Sequence, residues 1–236
     1  MSKIEWTEKT WNVTTGCTKI SPGCKNCYAE KMHARLYAMR QAKYYHDFQE
    51  LFIHPRSLDE PSRRKKPTVY FVNSMSDLFH KDVPARFLGA VFDKMEACPQ
   101  HTFQVLTKRS GRMRDWVCDR YENFSRSNMP QNIWFGTSIE DKKSKEDRVG
   151  ALRQMPAAVR FLSAEPLIGD PGWLNLRGID WVIVGGESGP GARPMDPEWA
   201  RSIRQQCVET GTGFFMKQMS RRATIPDDLM VREYPR

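Results

Sequence analysis

Short apolar runs without polar alternation recur along the chain, and amphipathic stretches separate them. Val69-Tyr70-Phe71-Val72 and Trp181-Val182-Ile183-Val184 are the clearest. A strand that is apolar at every position is buried on both faces, the situation of a parallel sheet covered by helices. Strands are expected near residues 10–14, 69–72, 103–106, 133–135, 160–162, 181–184 and 213–216, and helices over 28–45, 84–97, 112–124, 142–155 and 197–210. Pro84 and Pro197 open two of these helices, where the missing N–H of proline costs nothing. Seven such strands in 236 residues predict a single α/β domain, 1–236, whose parallel strands close fully or partly into a (β/α) barrel.

The residues directly after each strand are polar or small: Thr15-Gly16-Cys17, Asn73-Ser74-Met75-Ser76-Asp77, Thr107-Lys108-Arg109, Gly136-Thr137-Ser138, Ser163-Ala164-Glu165-Pro166, Gly185-Gly186-Glu187-Ser188-Gly189 and Lys217-Gln218. In parallel barrels the site is built at the C-terminal ends of the strands, so all of these residues are placed at one mouth.

The first strand end also carries Cys17, Cys24 and Cys27, with no fourth cysteine near them. A structural zinc site takes four protein ligands, whereas three thiolates leave one position open, as in a [4Fe–4S] cluster whose fourth iron takes a small molecule. The zinc alternative requires His33 as fourth ligand. Cys98, Cys118 and Cys207 stand alone and are expected to be small buried hydrophobes. The 37 basic residues exceed the 28 acidic ones and give +9, which favours anionic partners, nucleic acid first. The polar opening Met1-Ser2-Lys3-Ile4-Glu5-Trp6 is unlike a signal peptide, and no apolar run reaches the length of a membrane span. A cytoplasmic, reducing location is therefore expected, with metal-ligating rather than disulfide cysteines. An insertion at 48–67 carries Arg63-Arg64-Lys65-Lys66, to be read as a solvated loop or a phosphate-contacting patch.

The run Trp11-Asn12-Val13-Thr14-Thr15-Gly16-Cys17, followed by Cys24-Lys25-Asn26-Cys27-Tyr28-Ala29, resembles the start of the phage-associated Gp37/Gp68-type proteins of unknown function. Further matching runs are Phe71 to Phe79, Leu106-Thr107-Lys108-Arg109, Ser163 to Leu167, Val184 to Gly189, Phe215-Met216-Lys217-Gln218 and Arg232-Glu233-Tyr234-Pro235. Such proteins look like divergent members of the radical S-adenosylmethionine (SAM) superfamily. The resemblance implies a partial (β/α) barrel of the radical SAM type, a [4Fe–4S] cluster on Cys17, Cys24 and Cys27, and SAM at the open iron. It also implies reductive cleavage of SAM to methionine and a 5′-deoxyadenosyl radical, fed by an external electron donor such as flavodoxin or ferredoxin. The superfamily spacing is Cys-x3-Cys-x2-Cys, whereas six residues separate Cys17 from Cys24 here. Pro22-Gly23 supplies a turn in that longer loop. Asn26 takes the place of the usual aromatic, and Tyr28 is the candidate adenine neighbour. The usual Gly-Gly-Glu after the second strand is replaced by Asn73 to Asp77, while Gly185-Gly186-Glu187 follows a later strand.

On this reading Asn73, Ser74, Ser76 and Asp77 hydrogen-bond the amine and carboxylate of SAM, unless they only cap a helix. Lys108, beside Arg109, holds a carboxylate or a substrate phosphate. Ser138 and Glu165 face the mouth, Glu165 accepting from ribose hydroxyls or a substrate amine, with a structural salt bridge as its alternative. Gly185, Gly186 and Glu187 line a ligand, and Arg193 pairs with an anion. Lys217 is either a site charge or a surface residue. Together, the charge and the phage-like motifs imply modification of a nucleic-acid base, with hypermodified thymidine in phage DNA as the candidate, in the cytoplasm of a host cell. The alternatives are a zinc-stabilised nucleic-acid-binding module without catalysis, and a radical SAM enzyme acting on a peptide or small molecule.

Overall fold

The computed structural model describes residues 4–235. Seven strands form one sheet in which all neighbours are parallel: β1 (Lys9–Trp11), β4 (Val69–Val72), β5 (Thr102–Thr107), β6 (Ile133–Ile139), β7 (Val159–Ala164), β8 (Trp181–Gly185) and β9 (Gly213–Gln218), in that spatial order. Two short strands, β2 (Thr14–Thr15) and β3 (Phe52–Ile53), pair antiparallel beside the first strand end. The helices are α1 (Tyr28–Ala38), α2 (Ala85–Glu96), α3 (Ser110–Arg120), α4 (Lys142–Gln154) and α5 (Pro197–Thr210). The expected architecture, parallel strands closing partly into a barrel within one α/β domain, is the observed one: a curled half-barrel. No helix among the described residues is long and apolar enough to cross a membrane.

Strand alternation divides the apolar residues between two cores. Tyr70, Val72, Phe103, Val105, Phe135, Leu162, Val182, Val184, Phe214 and Met216 face outward onto the helices, meeting Leu88, Val91 and Phe92 of α2, Leu152 of α4 and Ile203 of α5. The intervening positions Phe161, Trp181, Ile183 and Phe215 face the concave side, where Trp6 joins them and Phe71, Leu106 and Trp134 pack alongside. Strands such as β4 and β8 are therefore apolar on both faces, which is why their sequences do not alternate. Trp6 closes the lower end of the concave side, its carbonyl accepting from Gln104 Nε2 at 3.2 Å.

Several boundaries depart from the sequence reading. The first helix stops at Ala38, because Arg40 adopts a left-handed conformation at φ 53° that closes a Schellman turn: Arg40 N donates to Tyr37 O, and Gln41 N to Leu36 O. The first strand is broken at Asn12-Val13, since Thr14 and Thr15 leave the sheet to pair with Phe52 and Ile53. The 48–67 insertion thus has structure: it supplies β3, and Ser57 O accepts from Trp11 Nε1 at 2.7 Å. The expected 112–124 helix begins earlier and ends earlier, as Ser110–Arg120. The basic run Arg63 to Lys66 is exposed just ahead of β4, at the N-terminal edge of the sheet, and so lies on the side away from the mouth.

Gly136 of β6 faces the concave core, and a Cβ there would lie 2.4 Å from the Phe161 ring. Gly136→Ala is expected to destabilise the fold by about 1–3 kcal/mol through overpacking, measured as a fall in the urea midpoint. An unchanged midpoint would mean that the ring moves aside freely.

Candidate functional site

The strand ends and the cysteine loop, residues 17–27, enclose a cavity of about 250 Å³. Phe71 and Leu106 form its floor, Phe48 one side, and Cys17, Cys24 and Cys27 line it together. Asn73, Ser74, Ser76, Asp77, Lys108, Ser138, Glu165, Gly186 and Glu187 line it as well, with Tyr28 on the rim. Gly185 is the one candidate set back from the wall; it lies against Glu165, whose Cδ is 3.2 Å from where a Cβ would sit.

Ion pairs centred on three carboxylates at the strand ends hold the cysteine loop. After β5, Arg109 pairs with Asp77 at 2.9 Å, donates to both Thr18 oxygens at 3.0 Å and reaches Cys17 Sγ at 3.6 Å. The Asp77 carboxylate is fully engaged, accepting also from Phe79 N, Thr107 Oγ1 and Lys108 N. After β6, the buried Glu140 accepts from Ser21 Oγ at 2.6 Å and Gly23 N at 2.8 Å, and pairs with Lys108 and Arg148. A Cβ on Gly23 would lie 2.3 Å from Glu140 Cδ, so this approach requires glycine. After β8, Glu187 accepts from Asn26 Nδ2 at 2.9 Å and from Arg193, whose Nη2 also donates to Pro22 O at 3.0 Å. Burial alone would raise both carboxyls. The Lys108 charge and hydrogen bonds nevertheless hold Glu140 at about 2, and the Arg193 and Asn26 hydrogen bonds hold Glu187 at about 2.

Several residues expected to meet a ligand also hydrogen-bond within the chain. Asn73 Oδ1 accepts from Val13 N and Thr14 N, and its Nδ2 donates to Thr14 Oγ1, at 2.9–3.2 Å. Ser74 donates to Asn12 Oδ1 and Ser76 to Thr14 O. These contacts fix the break between β1 and β2. Asp77 pairs with Arg109, Lys108 with Glu140, and Arg193 with Glu187. Gly186 donates its amide to Gln218 O, and a Cβ there would lie 2.4 Å from Ser220 N. Close packing thus accounts for that glycine. Ser138 and Glu165 remain turned to the cavity, and Glu165 pairs with Lys217 from β9. The Ser138 hydroxyl has no side-chain partner among the described residues.

Burial pushes the Cys17 thiol up to about 11, with Asp77 adding to the rise and Arg109 opposing it; burial raises Cys27 as well. A group bound by these thiolates must displace their protons. Among the described residues, no three His, Cys, Asp or Glu side chains are gathered closely enough to share a single ion. His33, the ligand a zinc reading needs, is buried among the rings of Tyr44, His46 and Phe48, with Nε2 at 2.8 Å from His46 O. Cys98 and Cys207 are buried in the outer core and Cys118 packs against it, as expected.

A family profile described as "Protein of unknown function (DUF5131)" matches residues 1–228. The chain belongs to that family. No curated protein matches its sequence. Among solved structures, a spore photoproduct lyase point variant superposes with a TM-score of 0.56 at 11% identity, covering 92% of this DUF5131 chain and 78% of its own. A second variant, with dinucleoside spore photoproduct, gives 0.50 at 13% identity and covers 89% and 63%. At these identities the likeness is one of fold, and the chain spans less than two thirds of that second relative.

Glu140→Gln removes the countercharge of Lys108 and Arg148 and is expected to cost roughly 3 kcal/mol. It and Gly23→Ala should both speed alkylation of Cys24 and Cys27; labelling at the wild-type rate would show that the clamp does not hold the loop. Both clamp carboxyls are lowered from 4.5 to about 2. Their stabilisation is therefore complete above pH 4.5 and is lost as pH falls toward 2. The wild-type urea midpoint should drop across that window more than that of the Glu140→Gln, Glu187→Gln double variant.

Proposed function

We propose that this chain is a radical SAM enzyme that acts on a nucleic-acid base. The observation that carries this reading is the position of the three thiols: all line one cavity at the C-terminal mouth of a half-barrel, on a loop with no fourth cysteine. Three thiolates with one corner open suit a [4Fe–4S] cluster better than a closed zinc site. Cys17, Cys24 and Cys27 would hold such a cluster, which, with SAM and an external donor such as flavodoxin or ferredoxin, would supply reductive cleavage of SAM and radical chemistry.

The residues around it divide the work. Arg109, Glu140 and Glu187 hold the cysteine loop over the mouth, across the long Cys17–Cys24 spacing. Ser138 and Glu165 face the cavity with hydrogen-bonding groups suited to SAM or substrate hydroxyls. Tyr28 at the rim offers a ring for adenine. Phe71 and Leu106 exclude water from below, which protects a reactive intermediate.

A nucleic-acid substrate is supported by the net charge of +9 and by the fold shared with spore photoproduct lyase, a variant of which holds a dinucleoside photoproduct. The Gp37/Gp68-type motifs support phage DNA, with hypermodified thymidine as the candidate, reached in the host cytoplasm after the base is flipped from the duplex. The orientation of His33 counts against the zinc alternative.

The test is anaerobic reconstitution with iron and sulfide, then addition of dithionite and SAM. The expected outcome is a brown protein with about four irons that forms 5′-deoxyadenosine. Cys17→Ala, Cys24→Ala and Cys27→Ala should each abolish both properties. A colourless protein that retains zinc and leaves SAM intact would overturn the reading.

A further inference from the structure

Residues 17–46 hold six cations, Lys19, Lys25, Lys31, Arg35, Arg40 and Lys43, and one carboxylate, Glu30, so this short stretch carries more than half of the net charge of +9. Asp47 and Glu50 follow, and Asp47 is turned to the amide of Gln49 at 2.8 Å. Four of the seven tyrosines of the chain, Tyr28, Tyr37, Tyr44 and Tyr45, lie in the same stretch. Tyr37 and Tyr45 stack in parallel with ring centroids 5.0 Å apart and planes 5° apart, yet they are 45% and 65% exposed. A stacked pair left in water offers an outer face to a further ring.

The backbone is built to make this pair. Arg40, at φ 53°, turns the chain at the end of α1 and brings Tyr45 back onto Tyr37. Glycine is the residue suited to that position, and arginine holds it at a conformational cost. Lys25, Arg35 and Arg40 have no side-chain partner among the described residues. The pair lies near the cavity: Tyr44, next to Tyr45 in the chain, meets His33 edge-on at 5.6 Å, and His33 meets Phe48 of the cavity wall at 5.4 Å.

We propose that this surface is a docking platform for single-stranded nucleic acid, with a base stacked on the Tyr37–Tyr45 pair and phosphates on Arg35 and Arg40. The proposal rests on the nucleic-acid reading above and extends it to a defined strand path leading to the rim. Stacking requires unpaired bases, and aromatic rings interleaved with cations are how single strands are bound without base readout. The cationic excess selects a polyanion over an apolar protein partner or a second copy of this basic chain.

The test is fluorescence anisotropy of the full chain, without added cofactor, using a labelled oligothymidylate and the same strand paired with its complement. The single strand should bind more tightly than the duplex and weaken between about 50 and 200 mM salt. Tyr37→Ala and Tyr45→Ala should each weaken it about fivefold or more. Arg40→Gly should lower the affinity and flatten the salt dependence while Tm holds or rises, which separates the charge from the fold. Trp173→Ala, a 63% exposed aromatic elsewhere, should change nothing. Wild-type affinity in Tyr45→Ala, preference for the duplex, or a dimer dispersed by Tyr45→Ala with no strand bound would each overturn the platform. SAM cleavage without strand binding would sink the platform alone, whereas strand binding with SAM left intact would support the platform and sink the radical reading.

Discussion

The buried carboxylates of Glu140 and Glu187 are the constraint on which the site depends. A loop spanning residues 17–27 has too little apolar surface to order itself, and ordering costs about 1–2 kcal/mol per residue. It is held by hydrogen bonds to charged acceptors, which are stronger than neutral ones. A buried carboxylate is tolerable only when paired, and each is: Glu140 with Lys108 and Arg148, Glu187 with Arg193. The loop contacts of these carboxylates span 117–161 residues of sequence. The cysteines are therefore arranged only when strand ends from both halves of the sheet are in place, and the site is a property of the finished fold.

That sheet also determines where chemistry can occur. Alternation puts Trp181, Ile183 and Gly185 on the concave face of one strand, Phe161, Ser163 and Glu165 on the next, and Phe215 and Lys217 on the edge. From bottom to top, each of these three strands passes from a bulky apolar residue to a polar or small one. The aromatic residues below and Trp6 beneath them exclude water from that end, so the cavity opens at the top. Ion pairs around it gain strength from the low dielectric of their surroundings.

The strands, their order and the location of the mouth are legible in the sequence because they arise from local periodicity and a topological rule. The three cysteines are legible because a spacing is visible in one dimension. The roles of Asp77, Asn73 and Glu187 are not: a polar residue at a strand end reads the same whether it faces a ligand or a loop. Glu187 clamps Asn26 across 161 residues, and nothing local marks that partnership. Gly23 stands out in sequence only as a turn residue, although the pressure on it is the Glu140 side chain. The β2–β3 pairing is hidden because a ladder of two residues has no period to detect. The end of α1 is hidden because arginine is a good helix former, and here it occupies the left-handed position where glycine is usual.

The size of the cavity bears on what the site can accept. Its 250 Å³ falls just below the range of roughly 300–1,000 Å³ for pockets that enclose a drug-sized ligand. On the reading proposed above, a polymeric substrate extends over the rim while the cavity takes the cofactor. β1 and β9 are the two ends of the sheet, which leaves the mouth open to one side rather than ringed by strands. Binding energy for a substrate gripped outside the cavity must come from the surrounding surface. On that surface the cations are concentrated along α1 and the loops on either side of it, contiguous with the cysteine loop. Under the proposed reading, a polymeric anion gains most from such an arrangement, since it would occupy the mouth with one unit and the charged surface with its neighbours.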